Sequence, residues 1–77
     1  MTTEEQIDLA HRNSYYIIIN KVPVEDIIMS IYPYVMHNPG DKIKKKTVVN
    51  LLNYFENMEE YEKCKKIKKH IDDKFKQ

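Results

Sequence analysis

The chain has 77 residues, a net charge of +1 and a hydrophobic fraction of 42%, with a single cysteine. A chain of this length is expected to form one domain and to bury only about 60% of the surface that its unfolded form exposes, which argues against a deep active-site cleft. The hydrophobic fraction argues against disorder of the whole chain, and one cysteine excludes an internal disulfide.

The first predicted element is a helix over residues 3–20. Thr2 and Thr3 are each followed three residues later by Glu or Gln, which is the capping-box pattern of a helix start. One face of this helix is predicted from the helical period to be Ile7, Ala10, Ser14, Ile17 and Ile18.

The second half of this helix is apolar on all sides. A strand over residues 14–19 is the alternative, because tyrosine and isoleucine also favour strands, but a single strand would have no partner. A helix that is apolar all round is either a central core helix or a contact surface for self-association or a larger protein. The candidate interface residues are Tyr15, Tyr16 and Ile19, extended by Tyr32 and Tyr34.

The second predicted helix covers residues 23–36. Pro23 suits its first turn, where a missing N–H has no cost, and two acidic residues follow it and complement the helix dipole. Pro33 should kink this helix or end it near Tyr32, because proline removes a helical hydrogen bond. Residues 37–41 then form the clearest loop in the chain.

Two further helices are predicted over residues 42–56 and 58–75, with Asp41 as the candidate cap of the first and Asn57 as that of the second. The apolar positions of the third helix obey the helical spacing and are Val48, Leu51, Leu52 and Phe55. In the fourth helix the a and d places of a 3-4-3 spacing fall on Tyr61, Cys64, Lys68, Ile71 and Phe75. The predicted fold is therefore all-α, a small four-helix bundle in one domain of residues 1–77 that ends in an antiparallel helical hairpin.

The hairpin resembles a known family over about residues 48–75. The run from Glu60 to Ile71, preceded by three apolar residues of the third helix, is similar to the UVR-type helical hairpin. The residues that match the family's pattern are Tyr61, Glu62, Cys64, Ile67 and Ile71. Lys68 replaces an arginine, Lys69 an aspartate and Lys65 a small residue. The resemblance implies a protein-docking element, of the kind found in excision-repair and protease-adaptor proteins, without chemistry of its own.

Lysines are concentrated near the open end of the predicted hairpin. The candidate anion or nucleic-acid residues are Lys42, Lys44, Lys45, Lys46, Lys65, Lys66 and Lys69. The lysines of the fourth helix follow acidic residues of its first turn, an order that the helix dipole favours. Those of the third helix occupy its predicted first turn, where positive charge opposes the dipole, so they indicate a phosphate or an acidic partner. A solvated helix face is the alternative.

No recognised chemical motif accompanies these surfaces. His11, His37, His70 and Cys64 are too dispersed for a metal-binding spacing, and the one glycine excludes a glycine-rich phosphate loop. We therefore expect no enzyme activity, no metal, no cofactor and no small-molecule substrate. Since only one arginine is present, any contact with nucleic acid should be non-specific.

These features predict a non-enzymatic small adaptor or regulatory protein that binds a larger protein or itself, and a bacteriophage accessory protein fits the same features. The alternatives are an accessory protein that contacts the nucleic-acid backbone through lysines, and a structural subunit of a larger assembly. The acidic N-terminus and the short apolar runs predict neither a signal peptide nor a membrane partner. With one cysteine, the expected location is the cytoplasm, of a host cell if the protein is viral.

Overall fold

A computed structural model of the protein describes residues 2–38 and 42–75, and these residues contain four helices and no strand. The all-α prediction is therefore confirmed. The chain divides into two compact units, Met1–Lys42 and Ile43–Gln77. The first unit contains helices α1 (Thr3–Ile18) and α2 (Val24–Ile28), and the second contains α3 (Lys45–Asn57) and α4 (Tyr61–Lys74). The four-helix bundle and the single domain stay predictions.

Helix α1 begins with the expected capping box. The Glu5 backbone N–H donates to Thr2 Oγ1 at 3.1 Å, and the Thr2 N–H donates to a Glu5 carboxylate oxygen at 3.2 Å. Because residues 14–18 lie in this helix, the strand alternative over 14–19 is wrong. The helix ends two residues earlier than expected, and Lys21 follows it with φ of 59° while its Nζ donates to the Ile18 carbonyl at 3.0 Å.

The second helix is much shorter than predicted. Helix α2 is a single five-residue segment with Pro23 at its N-cap, and the expected continuation to residue 36 is wrong. The helix ends where the Ser30 hydroxyl donates to the Ile27 carbonyl at 2.6 Å. Beyond it, Pro33 lacks the N–H that a helix would bond to the Met29 carbonyl and disfavours helical geometry at Tyr32. Residues 30–38, which we call the strap, contain no helix.

Helices α3 and α4 pack against each other as the predicted antiparallel hairpin. Val48, Leu51 and Phe55 of α3 are almost fully buried, as are Cys64 and Ile67 of α4.

The expected seam of α4 is wrong at two of its places. Ile67 is fully buried while Lys68 is exposed, and Tyr61 is 65% exposed. Because Tyr61 is the first residue of α4, it lies at the edge of the contact with α3. The observed inward face is therefore that of an ordinary 3.6-residue helix rather than a strict 3-4-3 coiled-coil seam.

Both helices of the hairpin begin later than predicted. Helix α3 starts at Lys45 with Lys44 as its N-cap, and Asp41, the expected cap, lies outside the described residues. Asn57 is the last residue of α3 rather than the cap of α4.

A backbone motif at Glu59 places the turn of the hairpin. The Glu60 N–H donates to the Phe55 carbonyl at 2.9 Å and the Glu59 N–H to the Glu56 carbonyl at 3.1 Å. With φ of 58° at Glu59, this is the Schellman arrangement that ends many helices. A glycine usually occupies the position of Glu59, because other residues are strained there by about 1–2 kcal/mol.

We therefore expect Glu59→Gly to raise the free energy of unfolding by about 1 kcal/mol, measured by urea denaturation. Glu59→Gln isolates the effect of removing the charge near the C-terminus of α3. Asn53→Gly, at an exposed position inside α3, should lower stability by up to about 1 kcal/mol. A loss of stability in Glu59→Gly would contradict the assignment of this turn.

Candidate protein-interaction surface

Two neighbouring polar side chains of α1 hold the strap in place. Asn13 and Ser14 are both buried, at 8% and 0% exposure. The Asn13 side-chain N–H2 donates to the carbonyls of Tyr32 at 2.8 Å and Tyr34 at 2.9 Å. The Met36 backbone N–H donates to Ser14 Oγ at 2.8 Å. These three bonds satisfy backbone groups that a continuing helix would otherwise have paired.

The bonded positions in the strap follow a two-residue period. Tyr32, Tyr34 and Met36 all direct backbone groups towards α1, which is the spacing of an extended chain. One edge of the strap backbone is thus hydrogen-bonded to α1, as the edge of a β-strand is to its neighbour. The partners here are the side chains of Asn13 and Ser14 instead of a second backbone. This attachment fixes the direction of the side chains that the strap carries.

The end of the strap is attached through a histidine. His37 Nδ1 lies 2.9 Å from Ser14 Oγ, so one hydroxyl contacts two consecutive residues of the strap. Among the described side chains, His37 Nε2 is a buried nitrogen with no hydrogen-bond partner. Burial lowers the pKa of His37, because the charged imidazolium loses hydration there.

The strap and the end of α2 expose an unusual amount of apolar side chain. Met29 and Ile31 are 85% and 86% exposed. No aspartate, glutamate, lysine or arginine occurs between Ile27 and Asn38. We call this surface the apolar patch, and its exposed members are Ile28, Met29, Ile31, Tyr32, Tyr34 and Met36. Contiguous exposed apolar residues of this kind mark interaction sites in soluble proteins.

An open groove of about 410 Å³ lies between the strap and the first half of α1. Its walls are Thr3, Gln6, Ile7 and Ala10 of α1 and the strap residues from Pro33 to Met36. Ile7 is 44% exposed here, so the apolar patch continues across the groove onto α1.

The residues predicted for a protein interface divide into two groups. Tyr15 is only 3% exposed and lies in the core, and Ile19 is half-buried. Tyr16, Tyr32 and Tyr34 are 37%, 47% and 38% exposed.

The most exposed residues of the patch, Met29 and Ile31, were not predicted from the sequence. The sequence signal that could have identified them is the uncharged run around Pro33. Pro33 prevents a continuous helix through this run. Some apolar residues of the run therefore cannot be buried on one regular helix face, and they stay exposed.

The seven candidate lysines are all exposed, and within residues 2–38 and 42–75 none of them forms an ion pair. Lys44, Lys45 and Lys46 cluster at the start of α3, where neither a side-chain cap nor an acidic residue in the first turn offsets them. Cys64 Sγ lies 4.0 Å from the Leu52 carbonyl, so the neighbouring Lys65 and Lys66 are level with the middle of α3.

Lys69 lies five residues beyond Cys64, about 7.5 Å further towards the open end of the hairpin. Of the α4 lysines in the candidate set, it is therefore the nearest to those at the start of α3. Of these α4 lysines, Lys69 lies towards the open end of the hairpin, near the lysines at the start of α3. Lys65 and Lys66 lie further from the open end, beside the middle of α3.

Cys64 is a free, buried cysteine of the hairpin. Burial, followed by the nearby Glu56 carboxylate, raises the pKa of the Cys64 thiol, which disfavours the reactive thiolate. Among the described residues, no three His, Cys, Asp or Glu side chains are grouped to hold a metal ion. None of the described helices is both long enough and apolar enough to cross a membrane.

Comparisons with family models, with curated proteins and with solved structures found no match to this chain. The resemblance to the UVR-type hairpin therefore stays a prediction.

The attachment of the strap can be tested at Asn13. Replacing it by alanine leaves two carbonyl oxygens of the strap unpaired, which should favour local opening by about 1–3 kcal/mol. Native-state hydrogen exchange at the Met36 amide measures this opening directly. Asn53→Ala, an exposed asparagine of α3, is the matched control and should leave that amide unchanged. Equal exchange in the Asn13 variant and the wild type would contradict the proposed attachment.

Proposed function

We propose that this chain is a non-enzymatic small helical adaptor or regulatory protein that acts by binding another protein through the apolar patch. The supporting observation is the exposure of Met29 and Ile31, at 85% and 86%, within a segment that has no charge. Leaving such side chains in water forgoes about 1.5–3 kcal/mol each, which a partner surface can recover by burying them.

The anchoring of the strap supports the same function. Binding by a disordered segment loses part of its interaction energy in ordering the chain. Here Asn13 and Ser14 already hold the backbone of the strap. Tyr32 and Tyr34 add half-exposed aromatic rings with polar hydroxyls, a residue type that is enriched at protein interfaces.

The double variant Met29→Lys with Ile31→Lys tests this proposal. Each change places a charge where an apolar contact is expected, so the affinity for a captured partner should fall by about 100-fold or more. The measurement is affinity capture from a lysate of the source organism with wild-type and variant baits, followed by binding titration with the identified protein.

The control is Met58→Lys with Tyr61→Lys in the hairpin, which replaces two apolar residues of 48% and 65% exposure by the same residue type. Circular dichroism should show unchanged helicity in both double variants. Sedimentation of the wild type separates self-association from binding to a different protein. Equal partner binding by the two double variants and the wild type would reject the apolar patch as the docking surface.

A second function is favoured by the start of α3. Lys44, Lys45 and Lys46 are exposed at a helix N-terminus that has no side-chain cap, an arrangement that costs local stability. We propose as the alternative that these lysines contact phosphates of the nucleic-acid backbone. The N-terminal N–H groups of α3 would add to the attraction for an anion.

Salt dependence provides the test of this alternative. For duplex DNA, each phosphate contact contributes about 0.9 to the slope of log K against log salt concentration. Replacing Lys44, Lys45 and Lys46 by glutamine should therefore reduce the slope by up to about 2.7. Replacing Lys65, Lys66 and Lys69 of α4 by glutamine is the matched change. It should reduce the slope less than the replacement of the three α3 lysines does. The alternative is rejected if the wild type does not bind random-sequence duplex at low salt.

A further inference from the structure

The hydrogen bonds at Ser14 are compatible with a neutral His37. Ser14 Oγ accepts the Met36 N–H at 2.8 Å, which leaves its own hydroxyl hydrogen available for His37 Nδ1 at 2.9 Å. An Nδ1 that accepts this hydrogen belongs to a neutral imidazole with its proton on Nε2.

A second proton would be poorly accommodated at this position. Protonation turns Nδ1 from an acceptor into a donor, so the Ser14 hydroxyl would have to rotate and accept from both Met36 and His37. The positive charge would also be shared with Nε2, which is buried without an acceptor. A buried charged donor without a partner costs more than a neutral one.

We propose that His37 is a pH-sensitive latch, and that its protonation releases the strap from α1. Release moves the imidazole into water, where both ring nitrogens can donate to solvent. It also removes the fixed backbone that positions Tyr32, Tyr34 and Met36, so acid should weaken any partner that binds the apolar patch. This consequence for binding rests on the proposed function, whereas the release of the strap does not.

Among the described residues of the elements around His37, none carries a charge that stabilises the imidazolium. The ionisable residues of the elements around it are Glu4, Glu5, Asp8, His11, Arg12, Tyr15 and Tyr16 of α1, Glu25 and Asp26 of α2, and Tyr32 and Tyr34 of the strap. His11 bonds through Nδ1 to the Ile7 carbonyl, and Asp8 pairs with Arg12 at 2.7 Å. Burial alone lowers the pKa of His37, and none of these charges opposes it.

The sign of the pH effect follows from this lowered pKa. The closed strap binds the proton less tightly than the released strap, in which His37 should titrate near its ordinary pKa of about 6.5. Attachment of the strap is therefore strongest above pH 6.5. It weakens as the pH falls from about 6.5 towards the pKa of the closed form, and is constant below that.

Two NMR measurements on the full chain test the latch without any partner. The imidazole shifts of His37 give its pKa, which should lie below 6.5. Hydrogen exchange at the Met36 amide, corrected for the intrinsic pH dependence of exchange, gives the opening constant of the strap between pH 8 and 5. Since the two are linked, the opening constant should rise about tenfold for each unit by which the pKa lies below 6.5.

Two variants make the test specific. In His37→Gln, a neutral side chain can still accept from Ser14, so opening at Met36 should no longer depend on pH. His70→Gln changes the half-buried histidine of α4 and should leave the pH response of Met36 as in the wild type.

Three results would overturn the latch: a His37 pKa at or above 6.5, an opening constant independent of pH, or the same pH response in His37→Gln. The wild-type pKa and opening constant decide the question even if His37→Gln fails to fold. The latch and the docking surface can be judged separately. Opening of the strap in acid supports the latch, whereas unchanged partner binding by the Met29→Lys with Ile31→Lys variant rejects the apolar patch as the docking surface.

Discussion

The organisation of the first unit depends on the hydrogen bonds that Asn13 and Ser14 donate to and accept from the strap. Pro33 prevents α2 from continuing, so the following backbone groups need partners other than a helix. Burying two polar side chains in α1 is unfavourable unless they are paired, and the strap provides those pairs. The side chains of Asn13 and Ser14 and the backbone of the strap therefore supply each other's hydrogen-bond partners. The strap is held without forming a helix, and its apolar side chains are left exposed.

The backbone direction of the strap also limits how a partner can bind. Tyr32, Tyr34 and Met36 turn their bonded groups towards α1, so the backbone groups of the intervening Pro33 and Val35 point to the opposite edge. Pro33 has no N–H, which interrupts the row of donors that an added strand would need. Recognition of the strap should thus depend on its side chains rather than on extension of a sheet.

Local signals in the sequence predicted those parts of the fold that are determined by neighbouring residues. The capping box at Thr2 and the apolar face of α3 are examples, and both are confirmed. The end of α2 and the attachment of the strap depend on bonds between residues about 20 positions apart, which periodicity does not reveal. The turn of the hairpin was predicted two residues too early, at Asn57, because a residue with a side chain occupies the left-handed position at Glu59, where a glycine would usually identify the turn.

The net charge of +1 is the sum of two units whose net charges have opposite signs. Met1–Lys42 has six acidic and three basic residues, a net charge of −3, whereas Ile43–Gln77 has ten basic and six acidic residues, a net charge of +4. Charges mainly affect the rate at which partners meet, and buried apolar contacts mainly affect how long they stay together. A partner can thus be attracted by either unit, and the uncharged patch then offers it a group of exposed apolar side chains on a backbone that is already held in place.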